Sequence, residues 1–290
     1  MPADFSKASQ DIIDRACRAA VAVLEKHDLT VEEMEPLSLG SNILLQLWPF
    51  EIVARVTGLR SQILPGGEEA AARRELDAVR FLSDAGAPVL PPCRAVAPGP
   101  HREGGLIVTF WDRVFEKDLP DYAPRAWEAL RRCHAALRDY AGPMPYLGGY
   151  AEARRVFLHL WRTEALDPAR ASDIVRRLAV LDQALEKMRD DAALAKVPIH
   201  GDAHLGNVLV PGEAAAEPVL WIDWDDVCRG PVEWDYACLI VDMREDATRP
   251  DREAALRACV ADEIDPVRLD VMIDARALQI EMWDAALESV

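Results

Sequence analysis

Apolar residues first recur at helical spacing between Ser9 and Lys26, at Ile12, Ile13, Ala16, Ala20, Val23 and Leu24, which predicts an opening helix. The period then shortens. Leu37–Leu47, a turn at Trp48-Pro49-Phe50 and Ile52–Val56 read as strand, turn, strand, turn, strand, an antiparallel meander. Gly66-Gly67 releases a helix over about Glu68–Asp84 with the apolar face Leu76, Val79, Phe81 and Leu82, and Pro88, Pro91 and Pro92 stop it. Leu106–Phe110 is a further strand, leading into Trp111-Asp112. From about Pro124 onward the pattern is mostly helical, with amphipathic segments near 124–141, 149–165, 167–190, 231–245, 250–263 and 266–288. A polar loop at His200–Asn207 interrupts them. It is followed by the apolar run Val208-Leu209-Val210, a turn at Pro211-Gly212-Glu213 with the Ala214-Ala215-Ala216 stretch inside it, and Val219–Ile222. That is a hairpin pattern, and it returns Asp223 beside the loop. A β-rich first third and an α-rich remainder predict an α+β fold of two lobes, residues 1–111 and 112–290.

Composition narrows the setting. With 290 residues and half of them hydrophobic, the chain can bury one large or two modest cores. No stretch has the uncharged apolar length that a membrane span needs. The start Met1-Pro2-Ala3-Asp4 lacks a basic segment before an apolar core, so no secretory signal is expected. Six cysteines without a C-x-x-C pair predict reduced thiols and a cytoplasmic setting. The histidines do not cluster with them, which argues against structural zinc. Fifty acidic against 33 basic residues give a net charge of −17. Such a field disfavours nucleic acid and anionic membranes and suits a cationic small molecule, although the same charge also serves solubility. Oligomeric state is not written in these features, and a monomer is the default.

The candidate chemistry lies in His200-Gly201-Asp202-Ala203-His204-Leu205-Gly206-Asn207 and in Asp223, sixteen residues further on. Phosphoryl transfer from a nucleotide needs one group to orient the attacking hydroxyl and two oxygen ligands to hold Mg²⁺ on the phosphates. Asp202, Asn207 and Asp223 supply these in order. Gly-Asp and Gly-Asn pairs are also ordinary turn formers, but loop, hairpin and second aspartate together are more than turns require. Asp202 and Asn207 stand five apart, as in the protein-kinase catalytic loop, with Gly201 where that loop has arginine. The chain here resembles the aminoglycoside phosphotransferase and choline-kinase-like family, whose loop reads H-G-D-x-H-x-x-N.

The resemblance implies a bilobal protein-kinase-like fold and places further roles. Arg55, on the third strand, would contact the α- and β-phosphates, with Glu75 on the next helix anchoring it. Leu39-Gly40-Ser41-Asn42 occupies the place of the phosphate-covering loop; its backbone N–H groups and the Ser41 hydroxyl would donate to phosphate, with Asn42 a further cofactor-binding candidate, and a plain hairpin turn is the equal alternative. Backbone groups around Val108–Trp111, including Thr109, would read the base, and Trp111 would close the pocket or serve as core. Gly230-Pro231-Val232-Glu233-Trp234-Asp235-Tyr236-Ala237 resembles the family's G-P-x-x-x-D-L-A segment, with Tyr236 for leucine. Asp235 is expected buried and bonded to the loop backbone or to His200, His204 in a hydrogen-bonded structural role, and His134 packed. The implied activity is an ATP-dependent kinase, with GTP as the alternative donor, using Mg²⁺ to phosphorylate a hydroxyl of a small molecule. An aminoglycoside or other antibiotic is one acceptor class; choline, an amino acid or a sugar is another. Loss of catalysis, leaving a nucleotide-binding regulator, is the third reading, and all three functional residues are present against it. Asp225, Asp226, Glu233, Asp274, Glu281 and Asp284 are candidates to meet substrate ammonium groups or are solvated helix faces.

Overall fold

The computed structural model describes residues 7–116, 121–211 and 219–289. The chain divides into two compact units, one from residues up to Arg80 with Leu90–Phe115, the other from Phe81–Val89 with the residues from Glu116 onward. The expected turn residues 212–213 and the Ala214–Ala216 stretch lie outside the described residues, as do Met1–Asp4.

The first unit holds α1 (Lys7–Glu25), β1 (Glu33–Leu39), β2 (Asn42–Trp48), β3 (Ile52–Thr57), the single-turn α2 (Arg60–Ile63), α3 (Glu68–Asp84, which ends in the second unit), β4 (His101–Glu103) and β5 (Leu106–Asp112). The strands form one antiparallel sheet in the order β1-β2-β3-β5-β4. Alternation along the strands gives the sheet two faces. Ile43, Leu45, Leu47, Ile52, Ala54, Val56, Val108 and Phe110 are buried in one core with Ala16, Ala19, Ala20, Val23 and Leu24 of α1. The spacing of those α1 residues is one apolar stripe of a helix, which explains why α1 lies on this face. The register Leu44↔Arg55↔Thr109 and Gln46↔Val53↔Trp111 puts Arg55, Thr109 and Trp111 together on the opposite face. The meander was legible as alternation, although β1 starts at Glu33 rather than at Leu37. β4 and α2 are too short to carry a period.

The second unit is mainly helical: α4 (Ala123–Leu137), α5 (Gly148–Arg162), α6 (Pro168–Asp190), β6 (Val197–Ile199), a 3₁₀ turn at Leu205–Asn207, β7 (Val208–Leu209), β8 (Leu220–Trp221), β9 (Cys228–Gly230), α7 (Glu233–Glu245), α8 (Arg252–Cys259) and α9 (Pro266–Glu288). Each predicted helical segment is present; α4 and α8 are shorter than their patterns. α9 packs against α5, α6 and α7. It is buried over most of its circumference, from Leu269 and Met272 to Met282 and Ala286, and leaves a narrow exposed stripe at Val267, Asp270, Asp274 and Asp284. Its start is sharply defined: the Asp265 carboxylate accepts from the backbone N–H groups of Val267 and Arg268, with Pro266 at the first helical position. Asp167 and Pro168 begin α6 in the same manner. Among the described residues the cysteines form no disulfide. Among the described residues no helix is long and apolar enough to cross a membrane.

Candidate active site

In the second unit, β6 ends at Ile199 and the chain enters the loop through His200. Gly201 has φ +90°, and a Cβ there would collide with the Asp226 carbonyl, so glycine is required for both conformation and space. This is the physical reason that glycine, and not arginine, precedes Asp202. The loop backbone is gripped from behind. The fully buried Asp235 accepts from His200 N–H and Gly201 N–H at 2.8 Å each, and its Oδ2 also meets His134 Nε2 at 2.7 Å. Trp234 Nε1 donates to the Gly201 carbonyl at 2.8 Å. Both expected alternatives for Asp235 thus meet at His200, and His134 is more than packing: it holds the residue that holds the loop.

The His200 ring is buried against Trp221 and Trp224. Its Nδ1 accepts from Asp202 N–H and its Nε2 donates to the Ile222 carbonyl at 2.9 Å, a pattern that fits the neutral ring. Burial pushes its pKa down, in keeping with that state. Ile222 N–H in turn donates to the Asn207 carbonyl, and β7 pairs with β8 as Val208↔Trp221. Ile222 is therefore held at both ends, and the next residue, Asp223, leaves in the left-handed region at φ +60°. A non-glycine residue held there is strained, as side chains placed for function often are. The short hairpin delivers Asp223 beside Asn207, as the sequence pattern predicts.

Asn207 is buried, and its Nδ2 donates to the Asp202 carbonyl at 2.9 Å, which fixes the amide and leaves its oxygen as the acceptor end. An amide oxygen and a carboxylate are hard donors of the kind Mg²⁺ takes, usually with nucleotide phosphates and water completing the shell. Among the described residues no cluster of three or more His, Cys, Asp or Glu would hold a metal alone. The donor set fits a cation bound together with phosphates.

The Asp202 carboxylate is about a quarter exposed, 24%. Burial of its surroundings opposes ionisation, but Arg276, His204 and His200 outweigh it and hold the pKa down to about 2. Arg276 Nη2 donates to Oδ1. His204 Nε2 stands 3.6 Å from Oδ2, and Asp242 accepts from Leu205 N–H to brace the 3₁₀ turn. Arg276 is absent from the sequence reading. The available signal was a cation and an amide, Arg276 and Gln279, on an otherwise apolar stripe with Leu269, Met272 and Ile273.

In the first unit, Arg55 Nη1 donates to Glu75 Oε2 at 2.5 Å, and Glu75 is 1% exposed. With its amide oxygen turned inward, Asn42 accepts from Arg55 Nη2 at 2.6 Å and Nε at 3.0 Å. Only a planar guanidinium can make these contacts together, which accounts for arginine in place of lysine. Ser41 is exposed in a turn clamped by Gly58 N–H on its carbonyl. Thr109 Oγ1 accepts from Trp111 Nε1 at 3.0 Å, so these two buried side chains hold each other on the Arg55 face. The N–H and C=O of Phe110 are engaged by Pro98 and Cys93.

Two of the carboxylates considered for substrate contact are otherwise engaged. Glu233 is buried and takes Arg268, and Glu281 takes Arg170 and Arg177 of α6. Asp274 and Asp284 are exposed on α9.

A strand-rich unit followed by a mainly helical one is the layout of a protein-kinase-like fold. Solved structures share that fold at low identity. Amicoumacin kinase hAmiN, in complex with AMP-PNP, Ca²⁺ and Ami, aligns with a TM-score of 0.69 at 16% identity, over 96% of this chain and 87% of that one. Aminoglycoside phosphotransferase APH(3'')-Id from Streptomyces rimosus gives 0.60 at 19%, over 90% and 97%. Choline kinase LicA from Streptococcus pneumoniae gives 0.65 at 12%, over 94% and 91%. No curated protein matches the sequence. Residues 61–269 match the phosphotransferase enzyme family, APH, and the chain belongs to that family.

Proposed function

We propose that this protein transfers the γ-phosphoryl group of ATP, with GTP as the alternative donor, to a hydroxyl of a small molecule. The observation that carries the reading is the joint delivery of Asp202, Asn207 and Asp223 by one loop and one short hairpin. Asp202 accepts a hydrogen bond from the acceptor hydroxyl, aims its oxygen in line with the γ-phosphorus and receives its proton late in the transfer. The reaction asks for orientation more than for a strong base, so a carboxylate with a low pKa is adequate. Asn207 and Asp223 would hold Mg²⁺, which when bound neutralises charge developing on the phosphates. Arg55, fixed by Glu75 and Asn42, grips the donor's α- and β-phosphates. Ser41 lies in the turn that would cover the phosphates, and Thr109 and Trp111 form the wall beside Arg55 against which a base would rest.

For the acceptor, the net charge of −17 and the likeness to an aminoglycoside phosphotransferase support a cationic antibiotic. The choline-kinase neighbour supports a metabolic amino alcohol as the second reading. A chain of six cysteines with no C-x-x-C pair supports a cytoplasmic place of action as part of this reading. The test is transfer of labelled γ-phosphate from Mg-ATP to a panel of aminoglycosides, other hydroxylated antibiotics, choline and amino sugars. Label should appear on at least one acceptor and vanish with EDTA. Mg-dependent nucleotide binding without transfer to any acceptor would replace this reading with that of a regulator.

A further inference from the structure

Arg276 projects from α9, and its side chain is buried to nine-tenths. A charge so placed needs close partners, and the side-chain partners recorded for it are Asp202 Oδ1, which accepts from Nη2, and Gln279 Oε1, which accepts from Nη1 at 3.0 Å. Gln279 is itself buried, 3% exposed. It sits against Gly149 at the start of α5, where a Cβ would come within 2.6 Å of its Nε2. A relay of contacts therefore runs from Gly149 of α5, against which Gln279 packs, through Gln279 and Arg276 to the carboxylate of Asp202. An aspartate's terminal torsion is broad and lets either oxygen face a ligand, so a carboxylate used for aiming needs an external constraint.

We propose that Arg276 is a positioning residue that captures Asp202 Oδ1 and so presents Oδ2 alone to the acceptor hydroxyl. The inference rests on the phosphotransferase reading above. Among the described residues Oδ2 makes no side-chain hydrogen bond, and His204 Nε2 stands 3.6 Å from it. Gln279 serves the relay by holding the other arm of the guanidinium fork.

The experiment compares wild type, Arg276→Gln, Arg276→Lys and Gln279→Leu as full chains, using the acceptor that scores in the panel. kcat, acceptor KM and Mg-ATP Kd are measured, with thermal melts as a control. Misplacement of a reacting group by about 1 Å costs on the order of 100-fold, so Arg276→Gln should lose about that much in kcat with KM and Kd within about threefold. Arg276→Lys should recover part of the loss, and Gln279→Leu should fall between wild type and Arg276→Gln. In an Asp202→Asn background, Arg276→Gln should cost nothing further, because the oxygen it aims no longer serves; a merely structural arginine would cost the same in both backgrounds. If Arg276→Gln fails to fold, Arg276→Lys and Gln279→Leu carry the test. An active wild type with variants of equal kcat, or a loss confined to acceptor KM, overturns the positioning role alone. A wild type that phosphorylates nothing overturns the phosphotransferase reading and this one with it.

Discussion

Two arginine–carboxylate pairs, Arg55–Glu75 and Arg276–Asp202, use the same chemistry with opposite assignments. On the function proposed above, the first pair offers its cation to the ligand, with the carboxylate as holder. The second offers its carboxylate, with the cation as holder. Each holder is the more deeply buried partner, with Glu75 at 1% and Arg276 at 9% side-chain exposure. Each pair also has an amide on its arginine, Asn42 in one case and Gln279 in the other. A buried pair contributes little net stability, because desolvation offsets attraction. What it provides is a fixed direction, and phosphoryl transfer depends on direction at both its donor and its acceptor end.

The comparison can be broken from either side. The largest effect is expected at Gly201→Ala, which forces a side chain into a left-handed position already facing the Asp226 carbonyl. It should cost roughly 3 kcal/mol and most of the turnover, as read by denaturant melts and kcat. Glu75→Gln strips the Arg55 charge of its partner and should cost about 3 kcal/mol in the same melts, with weakened Mg-ATP binding. Arg55→Lys retains the charge but not the fork, so the nucleotide KM should rise roughly tenfold, with kcat within about threefold. Asn42→Ala removes one anchor of the fork and should cost about 1 kcal/mol, or about fivefold in nucleotide affinity by calorimetry. Should Arg55→Lys instead lower kcat and spare KM, the two pairs would not divide donor from acceptor.

The two pairs differed in legibility for a physical reason. Arg55 and Glu75 sit on a strand and on the following helix, where amphipathic periods locate both elements and chain order aligns them. The placing of Asp202, Asn207 and Asp223 on one loop and the hairpin after it was legible because a five-residue spacing and a hairpin are local features. Arg276 lies 74 residues from Asp202, on the broad buried face of α9, and contact with a loop so distant in sequence leaves no local pattern. Only its polarity among apolar neighbours marks it. The strands β6 and β9 were missed because three-residue strands containing Pro198 or Gly230 carry neither alternation nor propensity. His134 was read as packing, since its partner Asp235 lies on another helix and contact between helices leaves no local pattern.

The most direct test of the account is Asp202→Asn, which keeps shape and removes the charge. It predicts that phosphate transfer falls about 1,000-fold while Mg-ATP Kd stays within about threefold of wild type. An Asp202→Asn protein that transfers phosphate at the wild-type rate would contradict it.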